Sequence, residues 1–201
     1  MQISKTLLVP ANDSIVVLLE QPNMDYIDTT KQASNCVALV SRSTMRTQAV
    51  FRLQKGEIAN CAIALGSSST KMPTTKGNKE NRKWILIGTA FLNPEETLPS
   101  CGRILMLDAQ RMELVQEFKT NGSVQSILVS EKNKFLLLGV NNQIQAYEMR
   151  TFLPSMRANT NTFVKAGKFE MLCQKSSGTF IQSIVRLAAP GSTHSNSTEL
   201  A

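Results

Sequence analysis

The side chains that could carry out chemistry are few, and they do not cluster in the sequence. Glu95 and Glu96 form an adjacent pair of carboxylates, which can act in general acid–base catalysis when a second group converges on them in a pocket. No histidine or nucleophile motif lies near them, and the single histidine of the chain is His194. The sequence favours the alternative, a solvated or salt-bridged loop. We therefore predict no catalytic residue.

The cysteines provide no metal site. Cys36, Cys61, Cys101 and Cys173 stand far apart without a Cys-x-x-Cys pair, whereas zinc sites of Cys and His need close spacings. The Gly-x-Ser-x-Gly motif of hydrolases is also absent from the sequence. We predict no metal, no cofactor and no enzymatic activity. The N-terminal residues do not resemble a secretory signal. We therefore expect the four cysteines to be free and buried as small apolar residues, and two disulfides are the alternative.

The positive charge of the chain, formally +7, is concentrated between residues 67 and 83. This segment carries five basic residues and one acid among Ser, Thr, Pro and Gly, which indicates a long, flexible insertion. It could bind phosphates or act as a nuclear-localisation segment. The sequence favours the alternative, a solvated loop, because no aromatic residue interleaves the lysines to stack on bases. The polar residues 190–201 predict a disordered tail.

Apolar segments rich in β-branched residues recur about every ten residues, with turn residues between them. Strands are predicted at 7–9, 15–19, 36–40, 50–53, 61–65, 84–91, 103–108, 114–119, 124–129, 135–140 and 144–148. No segment is a convincing amphipathic helix. The strands at 84–91 and 135–140 are apolar throughout and need cover on both faces, whereas residues 143–148 alternate and should have one solvated face. Sheets stacked face to face provide that cover, and Trp84 is expected in the core.

A repeated unit indicates the architecture. Gly56, Gly122 and Gly178 each precede a similar strand, and the first two of these strands are followed by an all-apolar strand, a turn and a third strand. Four-stranded units repeated at about 40–50 residues are typical of β-propeller blades. We predict an all-β fold over residues 1–189, namely a partial β-propeller with about two to three four-stranded antiparallel blades in an incomplete ring. A β-sandwich is the alternative.

The segment 84–108 carries a resemblance to a known family. It contains Gly88-Thr89-Ala90, Pro94-Glu95-Glu96 and Gly102-Arg103-Ile104. These motifs resemble a family that includes the large subunit of the damaged-DNA-binding protein, the adaptor of cullin-RING ubiquitin ligases. The large subunit of the cleavage and polyadenylation specificity factor belongs to the same family. The resemblance covers residues 48–150 well and corresponds to part of the third propeller of such proteins.

The resemblance implies a non-enzymatic nuclear scaffold, with the cytoplasm as a second compartment. Its partners would be cullin-ligase components and substrate receptors, in ubiquitination and DNA repair after DNA damage. The alternative is a nucleic-acid-binding subunit of the mRNA 3′-end cleavage and polyadenylation machinery. Pro94-Glu95-Glu96 favours the adaptor, although Leu98 stands where the family usually has an acid. The loops 67–83 and 92–101 are the candidate binding surfaces, because propellers bind partners through loops.

Three residues in or near these motifs have predicted structural roles. Arg103 opens a strand beside the carboxylates, and we expect it to pair with Glu95 or Glu96 and so fix the loop. Gly88 and Gly102 flank the same loop, where a glycine at each end lets the chain turn without strain.

No apolar run in the sequence approaches the roughly 20 residues that cross a bilayer, so no membrane partner is predicted.

Overall fold

The computed structural model describes residues 2–9, 14–20, 35–65, 84–129, 135–148, 155–156, 163–164 and 171–184. Within these ranges the secondary structure consists of β-strands without a helix. The strands are β1 (Gln2–Val9), β2 (Ser14–Glu20), β3 (Cys36–Ser41), β4 (Thr47–Arg52), β5 (Glu57–Leu65), β6 (Trp84–Phe91), β7 (Gly102–Asp108), β8 (Leu114–Thr120), β9 (Val124–Val129), β10 (Phe135–Val140), β11 (Gln143–Glu148), β12 (Ser155–Met156), β13 (Phe163–Val164) and β14 (Met171–Ser176). The predicted insertion at 67–83 and the predicted tail at 190–201 lie outside the described residues.

Three four-stranded antiparallel sheets make up the fold. Sheet 1 has the strand order β1-β2-β3-β4, sheet 2 has the order β5-β6-β7-β8, and sheet 3 has the order β9-β10-β11-β14. β12 and β13 pair only with each other among the described strands. The predicted repeat coincides with the sheets at two of its three members, since Gly56 precedes β5 and Gly122 precedes β9, whereas described residues 179–184 after Gly178 form no strand. This confirms the predicted all-β architecture of partial β-propeller blades, here three in number.

Sheet 2 is covered on both faces because its central strands carry apolar side chains on both faces. Ile85 and Ile87 of β6 lie in a core cluster with the side chains of sheet 1. Trp84 and Leu86, which point to the opposite face, lie in a second cluster with sheet 3. Burial of each such side chain contributes roughly 1.5–3 kcal/mol. The two clusters therefore hold the three sheets face to face, and the predicted core position of Trp84 is confirmed.

Within the described residues, sheet 3 packs with one face against sheet 2. The predicted cover on both faces of β10 is wrong, and β11 has one solvated face as predicted, but this face carries Ile144 instead of the glutamines. Phe135 of β10 and Ile144 of β11 are exposed, so β10 is not covered on both faces. Gln145, predicted on a solvated face, is only 1 % exposed and faces sheet 2. Its burial is tolerated because its carboxamide is satisfied: Tyr147 Oη donates to Gln145 Oε1 at 2.7 Å, and Gln145 Nε2 donates to Asn121 Oδ1 at 3.0 Å.

The cysteines are all free, as predicted, but only part of the burial prediction is correct. Cys36 is buried in β3, where desolvation raises the pKa of its thiol. Cys61 is half-buried, whereas Cys101 and Cys173 are exposed. The last two lie in a loop and on an edge strand, where no second sheet covers them. Their burial was predicted wrongly because sequence alone does not separate covered strands from edges.

Candidate protein-interaction surface

One end of the sheets gathers five connections, which we call the loop end. They comprise residues 53–56, 92–101, 121–123, 141–142 and 177–180. In an antiparallel meander every second connection returns to the same end, which is why they meet there. Residues 66–83 follow β5, which ends at Leu65, and precede β6, which begins at Trp84. Leu65 and Trp84 pair with each other at the opposite end of sheet 2. The structure therefore places the predicted binding loop 92–101 at the loop end, and the strands leading into the other predicted loop at the opposite end.

Loop 92–101 is held at both of its ends. The Leu92 N–H donates to the Gly56 carbonyl at 2.8 Å. At the other end the Pro99 carbonyl accepts a hydrogen bond of 3.0 Å from Asn141 Nδ2. Asn141 in turn accepts at Oδ1 from the Ser123 N–H at 3.0 Å. The loop thus spans the end of sheet 2 and is tied to the turns that begin sheets 2 and 3.

The two candidate carboxylates of this loop have different roles. Glu96 accepts hydrogen bonds from the Ser100 N–H at 2.8 Å and the Ser100 hydroxyl at 3.0 Å, and one of 3.3 Å from Asn93 Nδ2. These bonds, the backbone one first, hold the pKa of Glu96 below its ordinary value. They therefore order the loop above the ordinary pKa of glutamate and are lost as pH falls through the lowered pKa. Glu95 takes no part in this set of hydrogen bonds.

Arg103 does not pair with Glu95 or Glu96, and that prediction was wrong. Its Nε donates to Glu57 Oε1 at 2.7 Å and its second terminal nitrogen donates to Glu57 Oε2 at 2.6 Å. The first terminal nitrogen donates to Glu117 Oε2 at 2.5 Å. Arg103 and Glu57 are both buried, so their charges must be paired, and β5 supplies the acid that the exposed loop does not. The hydrogen bonds that Arg103 donates to Glu57 are the largest cause of the raised pKa of Arg103.

The Glu57 carboxylate is fully hydrogen-bonded. Thr89 Oγ1 donates to Oε1 at 2.7 Å and the Gln54 N–H donates to Oε2 at 2.9 Å. The Arg103 guanidinium also lies 5.7 Å from the centre of the Phe91 ring. The network joins β5, β6, β7 and β8 beneath loop 92–101. No lone pair or proton is left for catalysis, so the network supports the loop. Sequence reasoning missed Glu57, whose only signal was its place after Gly56 in the repeat.

The glycines that flank the loop are needed for a different reason from the one predicted. Neither Gly88 nor Gly102 has a positive φ. A Cβ at Gly102 would lie 2.4 Å from the Thr89 carbonyl oxygen and 2.6 Å from that of Gly122. A Cβ at Gly88 would lie 2.5 Å from a methyl carbon of Val124 in sheet 3. Close packing requires both glycines: Gly88 lies against Val124 of sheet 3, whereas Gly102 lies against the backbone of Thr89 in its own sheet and of Gly122 in the turn that leads to sheet 3.

The loop end exposes large apolar side chains. Leu92 and Leu98 of the loop and Phe180 beyond β14 are all exposed. Single exposed apolar residues are ordinary, but several on a loop held by a rigid scaffold are typical of a binding surface. These side chains make the loop end a candidate surface for contact with another protein.

The remaining features of the described part of the chain do not indicate catalysis. A cleft of about 320 Å³ opens between β8 and β14, lined by Phe118, Tyr147 and Met171 among others. Burial raises the pKa of Tyr147, so its hydroxyl stays protonated and donates to Gln145. No group of three His, Cys, Asp or Glu side chains is placed to hold a metal in the described ranges. No helix suited to crossing a bilayer occurs there either.

Comparisons with known proteins agree on one family. The sequence profile of the CPSF A subunit region matches residues 34–171. DNA damage-binding protein 1 of rice (Oryza sativa subsp. japonica) is 32% identical over 114 residues, which is 56% of this chain and 9% of the rice protein. DNA damage-binding protein 1b of Arabidopsis thaliana is 39% identical over 64 residues, 31% of this chain and 6% of the relative. DNA damage-binding protein 1a of the same plant is 35% identical over 72 residues, 35% of this chain and 6% of the relative. The matched part of this chain spans less than a tenth of these relatives.

Proposed function

Since the chain belongs to the CPSF A subunit region family, we propose that it is a non-enzymatic scaffold that binds other proteins through its loop end. Membership agrees with the resemblance carried by the Gly-Thr-Ala, Pro-Glu-Glu and Gly-Arg-Ile motifs. The stacked sheets supply a rigid support, and the connecting loops supply the contacts. The proposal applies to residues 1–189 as the propeller part of the chain.

The observation that carries this proposal is the construction of loop 92–101. The loop is fixed by hydrogen bonds at Leu92 and Pro99, yet it leaves Leu92 and Leu98 exposed. A loop already held in one conformation loses little entropy when a partner binds, so its apolar contacts count almost fully toward affinity. The buried pair of Arg103 and Glu57 beneath it keeps this surface in place.

The partners that we propose are components of a cullin-RING ubiquitin ligase and its substrate receptors. The names of the relatives connect them with DNA damage, and the match to the family profile over residues 34–171 includes the segment 84–108 that carries the Pro-Glu-Glu motif. In this proposal the chain acts in the nucleus, in ubiquitination linked to DNA repair. A polyadenylation role is the second candidate, supported by the name of the family itself.

Replacement of Leu98 by aspartate is expected to lower the recovery of cullin-ligase components from nuclear extract about tenfold, because a charge would have to be buried at the contact. Leu98 is 50% exposed in the structure, so the thermal midpoint of unfolding should not change. Pull-down with quantitative mass spectrometry measures the recovery. The matched control is Leu114→Asp, a leucine 42% exposed at the start of β8, far from the loop end.

The outcomes of this pull-down separate the two candidates. Equal recovery with Leu98→Asp and Leu114→Asp would remove the loop end from the proposal. Recovery of polyadenylation factors in place of ligase components would favour the second candidate. RNA binding that falls steeply as salt rises would favour it further, because contacts to phosphates release counterions.

A further inference from the structure

The last strands of sheets 2 and 3 stand apart and leave a cleft between them. β5 and β6 pack against β9, the first strand of sheet 3, whereas β8 and β14 make no comparable contact. The cleft between β8 and β14 has a volume of about 320 Å³. Its lining residues, all in the described part of the chain, are Phe118, Lys119, Thr120, Asn121, Gln145, Tyr147, Met171 and Gln174. The cleft reaches the loop end at Asn121.

The cleft has two levels with different chemistry. At the first level, Tyr147 of β11 pairs with Met171 of β14, which gives an aromatic ring and a thioether. At the second level, Gln145 pairs with Gln174 and donates a hydrogen bond to Asn121. Gln145 and Tyr147 are two residues apart in one strand, so the levels are about 7 Å apart. A bound molecule therefore meets apolar groups at one level and carboxamides at the other.

The hydrogen-bonding groups left free at the second level are donors. Asn121 Oδ1 accepts from Gln145 Nε2 at 3.0 Å, and Gln145 Oε1 accepts from Tyr147 Oη at 2.7 Å. The first bond orients the Asn121 carboxamide and leaves its Nδ2 without a partner among the described residues. Lys119 is exposed and forms no ion pair there, and the lining includes no carboxylate. The cleft therefore suits an anionic acceptor such as a carboxylate.

The occupant that these groups indicate is a polypeptide segment. Binding of a single-stranded nucleic acid needs open aromatic faces on which bases stack, in addition to donors for its phosphates. Tyr147 is buried and Phe118 is half-buried, so neither ring offers such a face. In an extended polypeptide, side chains two residues apart point the same way and lie about 7 Å apart. This spacing matches the two levels of the cleft.

We propose that the cleft between β8 and β14 binds an extended segment of a partner protein that carries a large apolar residue and, two residues away, an aspartate or glutamate. The apolar side chain packs at the level of Tyr147 and Met171. The carboxylate accepts hydrogen bonds from Asn121 Nδ2 and from the Lys119 ammonium group. The site shares Asn121 with the loop end but uses none of the exposed leucines there. It is therefore a second contact, beyond the proposed function.

A capped peptide tests this proposal with the full chain. The probe is Gly-Ser-Phe-Ser-Glu-Ser-Gly with fluorescein at its N-terminus and an amide at its C-terminus, so that the glutamate carries the one carboxylate of the peptide. Fluorescence anisotropy should show saturable binding. One control peptide has glutamine in place of the glutamate, and a second exchanges the glutamate with the serine before it, which turns the carboxylate to the opposite side. Each control should bind at least about fivefold more weakly.

Matched substitutions locate the site. Met171→Asp places a charge at the apolar level and should weaken binding at least about tenfold, whereas Leu172→Asp should not change it. Met171 is 47% exposed and Leu172 is 49% exposed, but only Met171 lines the cleft. Asn121→Asp keeps an acceptor for Gln145 and replaces the free donor by a negative charge, so it should also weaken binding about tenfold. Its control is Asn142→Asp, the same change at an exposed position outside the cleft.

Absence of saturable binding to the unchanged chain would overturn the proposal. Equal binding of the glutamate and glutamine peptides would also overturn it, and this comparison needs no variant to fold. Equal affinities within either matched pair of variants would place the peptide elsewhere. Binding of oligouridine that the peptide displaces would assign the cleft to nucleic acid instead. Leu98→Asp should leave peptide binding unchanged, so this proposal and the loop-end proposal can fail separately.

Discussion

Replacement of Glu57 by alanine is expected to lower the free energy of unfolding by about 3–5 kcal/mol, and the thermal midpoint by roughly 10 °C. The change removes two of the three ion-pair hydrogen bonds of Arg103 and leaves the guanidinium buried. It also leaves the Thr89 hydroxyl and the Gln54 N–H without their acceptor. Urea unfolding followed by circular dichroism measures the loss.

Glu117→Gln is the matched control for this prediction. Glu117 binds the same guanidinium, but its side chain is 38% exposed, so we expect a loss below about 1 kcal/mol. The double change Glu57→Ala with Arg103→Met should recover part of the loss, because no unpaired charge then remains buried. Equal losses for Glu57→Ala and Glu117→Gln, or no recovery in the double variant, would contradict the assigned pairing.

Titration of Arg103 should not change the free energy of unfolding between about pH 6 and 8. The pKa of Arg103 is raised in the folded chain, chiefly by the hydrogen bonds that it donates to Glu57. A raised pKa on a base gives stabilisation that is complete below the unfolded pKa and is lost only as pH rises through the folded one. That window lies in strong alkali.

Gly102→Ala is expected to cost about 1–3 kcal/mol in unfolding free energy. The added Cβ would meet the carbonyl oxygens of Thr89 and Gly122 at 2.4 and 2.6 Å. Both are backbone atoms, one in β6 of the same sheet and one in the turn between β8 and β9, so neither can rotate away. The backbone must shift instead, which also disturbs loop 92–101. Urea unfolding and the change in Tm measure the effect.

Gly178→Ala is the comparison for Gly102→Ala. Glycine is required at Gly102 by close packing, whereas at Gly178 it is required by the backbone conformation. Gly178 has φ +74° and no atom within 4 Å of an added Cβ, so its cost is the left-handed strain alone, about 1–2 kcal/mol. Gly102→Ala should also weaken binding at the loop end, whereas Gly178→Ala should leave loop 92–101 unchanged. A neutral Gly102→Ala would contradict the close packing at this position.

Much of the fold could be predicted from the sequence because its signals are local. Strands at 84–91, 124–129 and 135–140 have the predicted bounds, since apolar runs there end at turn residues. The repeat at Gly56 and Gly122 predicted sheets 2 and 3, which begin directly after these glycines. β12, β13 and β14 were not predicted, because the first two have only two residues each and the sequence of β14, Met-Leu-Cys-Gln-Lys-Ser, has neither a long apolar run nor alternation. An edge strand needs no apolar face, so its sequence carries little pattern.

The site was less predictable because it depends on pairing between distant residues. Loop 92–101 was found from its motifs, and its two prolines and two acids were visible. The partner of Arg103, however, lies 46 residues away in sequence and is brought near only by the register of β5, β6 and β7. Likewise, Gln145 can face inward because a neighbouring turn supplies Asn121 as a hydrogen-bond acceptor.

The central claim is that sheet 2 is covered on both faces while sheets 1 and 3 each cover one of them. Native-state hydrogen exchange of the whole chain, resolved by fragment, tests it most directly. The account predicts that the amides of β6 and β7 exchange at least about a hundredfold more slowly than those of the edge strands β4 and β14. Exchange of β6 and β7 at the rate of these edge strands would contradict the stacked arrangement.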